Sequence, residues 1–169
     1  MKTIFAVTHG SKAEGPNPEL TGAGVAEIRA AAAKLFNREV TCIIVGTGLR
    51  FIHTHTVINT VFDLGGLPVK YSPLLGSADS GKKAETGFDV LLADGTPIHD
   101  SGYIGLIGTP GVDLWAFLAG AIPDGSLLVT GREFIGSFLG GANNAKSATV
   151  YQITIDDDAG TGGNTVVEI

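Results

Sequence analysis

A three-layer α/β/α sandwich with a mostly parallel sheet is the fold class that this 169-residue sequence predicts. Three observations carry that prediction. Ile4-Phe5-Ala6-Val7, Val40 to Val45 and Ser126 to Val129 are short, nearly unbroken apolar runs, as strands covered on both faces require. A helical stripe, Val25, Ile28, Ala32 and Leu35, lies between the first two runs. Finally, these runs end on polar and glycine residues: Thr8-His9-Gly10, Gly46-Thr47-Gly48 and Thr130-Gly131-Arg132. The carboxyl edge of an open α/β sheet is where ligands bind, so those three ends converge on one expected cleft.

The elements follow in order. After the first strand a polar loop, Ser11 to Glu19, leads to Thr21, a good N-cap for a helix from Gly22 to Phe36. Alanines 30 to 33 favour that helix and allow it to pack closely on a sheet. The strand Val40–Val45 completes a β-loop-α-β unit with parallel strands. A helix from Leu49 to Phe62 follows and carries Arg50, His53 and His55. Leu67 to Tyr71 reads as a third strand, and Ser72 to Phe88 as a polar segment over the sheet edge. Val90 to Ala93, Asp94-Gly95 and Thr96 to Ile98 read as a hairpin. Pro110 to Ala121 is a helix, Ser126 to Thr130 a buried strand, Phe134 to Leu139 a helix and Thr149 to Ile155 a final strand. The glycine-rich stretch 156–164 then turns the chain into Val166 to Ile169. Neither a repeat nor a linker divides the chain, so residues 1–169 read as one domain.

Composition narrows the function. A hydrophobic content of 44% is enough for a large core, and no apolar run reaches the ~18 residues of a membrane span. A net charge of −6 argues against nucleic acid or an anionic membrane as partner. The start of the chain has no signal-peptide pattern, so the expected compartment is the cytoplasm. Cys42, the single cysteine, reads as a buried structural thiol within a strand. His53 and His55 stand two residues apart, which splays them across a helix. A metal site on that helix needs a spacing of three or four, so a two-histidine metal site is not expected there. No cofactor is expected elsewhere in the chain. His99, beside Asp100, reads as a surface residue.

The strand-end residues have a chemistry in common. A neutral imidazole at His9 beside the guanidinium of Arg50 suits a phosphoryl group, with the arginine and backbone amides holding oxygens while nitrogen attacks phosphorus. A competing motif, Gly76 to Lys83, matches the phosphate loop of nucleotide hydrolases except that Lys83 replaces the hydroxyl residue that holds Mg²⁺.

The whole chain resembles the histidine phosphatase superfamily, the phosphoglycerate-mutase-like proteins. Ile4 to Gly10 is similar to the family's opening strand and Arg-His-Gly motif, with Thr8 in place of the arginine. Leu20-Thr21-Gly22-Ala23-Gly24 resembles the Leu-Thr-x-x-Gly segment that begins the first helix. Arg50 and Thr54 match the family's second arginine and the threonine four residues on, given one deletion; an ungapped match puts Phe51 there instead. Ser126 to Gly140 resembles the late strand and helix, with Gly131 at the second histidine and Arg132 at the glycine.

The resemblance implies a phosphoglycerate-mutase-like fold and phosphoryl hydrolysis through a phosphohistidine at His9. It implies phosphate binding by Thr8, Gly10, Arg50, Gly131 and Arg132, and a general acid at Glu85 or Asp79. The expected partner is a phosphorylated small molecule or inorganic phosphate. Missing the first arginine and second histidine, the site is expected to be weak or altered. A catalytically silent relative that binds a phosphorylated ligand or a protein partner is the alternative. The sequence leaves the oligomeric state open.

Overall fold

The computed structural model describes residues 1–15, 17–61, 63–72, 75–76, 89–91, 97–99, 114–156 and 163–169, without the side chains of 89–91, 97–99 and 117. In chain order these form β1 (Lys2–Thr8), α1 (Gly22–Ala32), β2 (Cys42–Val45), α2 (Leu49–Val61) and β3 (Val69–Tyr71). The hairpin strands β4 (Asp89–Leu91) and β5 (Pro97–His99) come next, then α3 (Leu114–Ala121) and β6 (Ser126–Thr130). The last elements are α4 (Arg132–Leu139), β7 (Val150–Ile155) and β8 (Thr165–Glu168). Six strands make one sheet in the order β3-β2-β6-β1-β7-β8. The first four run parallel to one another, while β7 is antiparallel to β1 and β8 to β7. The three-layer, mostly parallel α/β architecture expected from the sequence is the one observed.

Alternation along the strands builds the two interlayers. Phe5 and Val7, Ile43 and Val45, and Leu127 and Val129 point to one face, where Ile28, Ala32, Phe51 and Ile58 of α1 and α2 cover them. Ile4 and Ala6, Ile44 and Leu128 point to the other, under Leu118 of α3 and Phe134 and Ile135 of α4. Both faces are therefore apolar, which is why the strands read as continuous runs. Each fully buried Leu, Ile or Phe contributes roughly 1.5–3 kcal/mol to holding the layers together.

Several element ends differ from the sequence expectation by a turn or less, each for a local reason. The first helix tightens into a 3₁₀ turn over Ala33–Leu35, and Asn37 at φ 65° ends it. Strand β2 begins at Cys42, not Val40, because Val40 N–H bonds to Arg38 O and the chain is still turning there. Helix α4 begins at Arg132, because the extended Gly131 serves as its N-cap and accepts Ile135 N–H. Cys42 is half-buried rather than buried, with Sγ 3.0 Å from Ser126 Oγ. The hairpin's turn and the segment 77–88 lie outside the described residues. Among the described residues, no helix is long and apolar enough to cross a membrane.

Candidate active site

Strand order places β6 between β1 and β2, so the three polar strand ends are neighbours along one edge. Parity then aims them. His9 and Gly131 each stand two residues beyond an inward valine, Val7 and Val129, and face the α1/α2 layer. Phe51, 1% exposed, rises from the first turn of α2 against both of them. The His9 and Phe51 rings meet edge to face, centroids 5.5 Å apart and planes at 73°. A Cβ on Gly131 would lie 3.4 Å from Phe51 Cε1 and 3.7 Å from His9 Cδ2.

Backbone contacts hold His9 from two sides. Its N–H donates to Thr130 O at 3.1 Å, and its carbonyl accepts Ala148 N–H at 3.0 Å. Its Nδ1 lies 2.8 Å from Gly10 O. A carbonyl only accepts, so Nδ1 carries the proton and Nε2 keeps its lone pair. Burial holds the imidazole pKa below its ordinary value, opposed by the Gly10 carbonyl. The positive charges of Arg50 and Lys12 lower it further, while the carboxylate of Glu133 raises it. The net direction favours the neutral, nucleophilic form.

Arg50 is 4% exposed, with its guanidinium carbon 4.3 Å from the Phe51 ring centroid. His9 and Arg50 thus share Phe51 as a common wall, which bounds their separation at about 10 Å. The Thr54 hydroxyl donates to Arg50 O at 2.7 Å and is satisfied within the helix. Two close approaches fix the loop after His9. A Cβ on Gly10 would stand 2.7 Å from Gly24 O, and one on Gly24 would stand 2.1 Å from Ser11 O. Thr21 caps α1 by accepting Gly24 N–H at 3.1 Å, as its position in the sequence predicts. The absence of side chains at both glycines lets the first turn of α1 sit against the His9 loop.

The other expected site residues are placed as follows. Thr8 is fully buried, and its hydroxyl donates to Lys146 O at 2.6 Å and accepts Thr149 N–H at 3.1 Å. Parity turns it to the sheet face opposite His9. Arg132 donates from Nε to Ala145 O at 2.9 Å and from its terminal nitrogen to Ala142 O and Asn143 Oδ1, at 3.3 and 3.4 Å. Its guanidinium thus braces the 142–145 turn, while its backbone amide lies in the first turn of α4. His53 Nδ1 accepts Leu20 N–H, and His55 is buried beside Asn59 Nδ2 with its pKa lowered by desolvation. Both histidines are engaged along α2. Glu85, Asp79 and the Lys83 loop lie outside the described residues.

Two residues not singled out in the sequence stand at the centre of the site. Phe51 was visible only as the ungapped match to the second arginine. Glu133 reads locally as an acidic residue opening a helix, yet its Oε2 would be 3.2 Å from a Gly131 Cβ, on the same side as His9. Among the described residues no three His, Cys, Asp or Glu side chains are grouped to hold a metal ion.

The fold is phosphoglycerate-mutase-like α/β, the architecture of the solved structures on which the chain superimposes. The protein histidine phosphatase SixA complexed with tungstate superimposes with a TM-score of 0.61 at 17% identity, over 98% of this chain and 94% of that one. The mycobacterial glucosyl-3-phosphoglycerate phosphatase in complex with VO3 gives 0.53 at 16% identity, over 100% and 98%. A structure described as mycobacterial hydrolase 1 gives 0.54 at 15%, over 99% and 96%. No family model matches the chain, and no curated protein matches it by sequence.

Proposed function

We propose that the chain is a histidine-phosphatase-like phosphoric monoester hydrolase with His9 as its nucleophile. The observation that carries this reading is the Nδ1–Gly10 O bond, which leaves the Nε2 lone pair available at the edge where Arg50 and Gly131 also converge. In the first half-reaction Nε2 bonds to phosphorus as the ester oxygen departs. In the second, water attacks the phosphohistidine, the N–P bond breaks, and phosphate leaves with His9 again neutral. Arg50 supplies positive charge behind the Phe51 ring. The amides following His9 and Gly131, including those of Gly10 and Arg132, are the further donors for phosphoryl oxygens. Both SixA and the mycobacterial phosphatase were seen with oxyanions, tungstate and VO3, which supports a phosphate-like ligand.

Activity is expected to be modest. Losing one preorganised donor to a developing oxyanion costs ~10²–10³ in rate, and neither Thr8 nor Gly131 supplies a charged side chain here. The engagement of Thr8 and Arg132 with backbone carbonyls favours a second reading, a silent relative that binds a phosphorylated ligand or a protein partner. Two measurements separate them. Inorganic phosphate or vanadate at 100-fold its Kd is expected to stabilise the fold by about 2.7 kcal/mol, and Arg50→Ala to remove the ligand-induced part. Hydrolysis of 4-nitrophenyl phosphate that disappears in His9→Ala establishes the enzyme. Anion binding without His9-dependent turnover establishes the silent reading.

A further inference from the structure

From the groups that flank Gly131, we infer that Glu133 is the acid that protonates the leaving group, and that the substrates are alkyl phosphate monoesters. This inference rests on the phosphatase reading above. A Cβ at Gly131 would lie 3.2 Å from Glu133 Oε2 and 3.7 Å from His9 Cδ2, the carbon bonded to Nε2. The carboxylate and the nucleophilic edge of the imidazole therefore flank the same glycine, with Phe51 Cε1 on its third side at 3.4 Å. Glu133 Oε2 and His9 Cδ2 are therefore at most about 7 Å apart, no farther than the reach of a nucleophile, an in-line phosphoryl group and a hydrogen bond to the departing oxygen.

Other features of Glu133 agree with that role. It is half-buried in the first turn of α4, a rigid position on the scaffold rather than a loop tip. Its negative charge acts on the His9 imidazole, as does the positive charge of Arg50 from the Phe51 side.

The steps balance. As the Nε2–P bond forms and the P–O bond breaks, the Glu133 carboxyl gives its proton to the alkoxide, releasing an alcohol and leaving a carboxylate. That carboxylate then takes a proton from the attacking water, the N–P bond breaks, and phosphate departs with the site restored.

The chemical need for such an acid sorts the substrates. An alkoxide is a poor leaving group and needs the proton. A nitrophenolate leaves without it, and the nitrogen of a phosphoramidate is protonated directly by solvent. Glu133 is thus a feature with value only for an alkyl ester.

The test compares wild type, Glu133→Gln and Glu133→Asp on glycerol 2-phosphate, 4-nitrophenyl phosphate and phosphoramidate, with His9→Ala as control. Glu133→Gln is expected to lower kcat/KM on glycerol 2-phosphate by roughly 10²-fold, at least tenfold more than on the other two substrates. Glu133→Asp, which keeps the acid on a shorter stem, recovers part of that loss. Equal losses on all three substrates, or no loss on glycerol 2-phosphate, overturn the assignment while His9-dependent turnover leaves the phosphatase reading intact. Turnover that survives His9→Ala, or a wild type inert on all three, overturns the phosphatase reading and this inference with it.

Discussion

The imidazole of His9 stands edge-on to the ring of Phe51, and the guanidinium of Arg50 lies over that same ring. One aromatic side chain, 1% exposed, therefore contacts both the proposed nucleophile and the arginine proposed to hold phosphate. Its surroundings are built to admit it: a Cβ on Gly46 would lie 2.8 Å from the ring, and one on Gly76 would lie 2.5 Å from Cζ. Phe51→Ala is expected to destabilise the fold by about 3–5 kcal/mol, read as a lower midpoint in urea. An unchanged midpoint would show that the ring does not support the site.

The paired glycines at the start of α1 give a prediction of opposite signs. Gly24→Ala puts a methyl 2.1 Å from a backbone oxygen, so the loop after His9 must shift. A cost of about 1–3 kcal/mol follows, with weaker anion binding alongside. Gly22→Ala meets nothing within 4 Å and sits in the same helix. That variant is expected to be neutral or stabilising by up to about 1 kcal/mol, because alanine restrains the unfolded chain. Equal effects in the two variants would refute the close-approach argument.

Introducing the side chain that the histidine phosphatase motif carries is expected to be easier at one position than at the other. Gly131 has φ −129° and ψ 176°, an extended backbone open to any residue, and its nearest neighbour is the flexible end of Glu133. Gly131→His is expected to fold with a melting temperature close to wild type and to raise His9-dependent hydrolysis of 4-nitrophenyl phosphate. Thr8→Arg must instead break bonds to Lys146 O and Thr149 N–H in a fully buried place. Its expected cost is about 1–3 kcal/mol from the partners left unsatisfied. A Thr8→Arg protein as stable as wild type would mean that the turn after Ala145 rearranges freely.

Stability is expected to fall on acidification. Burial lowers the pKa of both His9 and His55 from 6.5, so below that value the unfolded chain takes up protons more readily than the folded one. The stability lost grows from about pH 6.5 down to the folded pKa values and is fully lost below them. Replacing His55 by Asn is expected to flatten the decline between pH 6.5 and 5, as measured by denaturant midpoints across pH. An identical slope in the variant would place the titration elsewhere.

Much of the architecture was legible locally. Continuous apolar runs marked the buried strands, a three- and four-residue stripe marked α1, and Thr21 marked its start, because these depend on neighbours within a few residues. His9 could be picked out for the same reason, since a histidine and glycine ending a buried strand are adjacent in the chain. The insertion of β6 between β1 and β2 depended on contacts with distant parts of the chain.

Which polar groups face the cleft was a tertiary matter. Thr8 and His9 are adjacent in sequence, yet strand parity sends them to opposite faces of the sheet. Arg132 stands beside Gly131, yet carbonyls at 142 and 145 draw its guanidinium into another turn. Glu133 meets the imidazole's neighbourhood only because β6 and β1 pair in register, Thr130 opposite Thr8. Local sequence determined the strands, the first helix and its cap, and the residue that ends β1, because hydrophobic periodicity and capping act over a few residues. Side-chain direction and strand pairing, which join residues more than a hundred positions apart, decided that His9, Phe51, Arg50 and Glu133 share one edge.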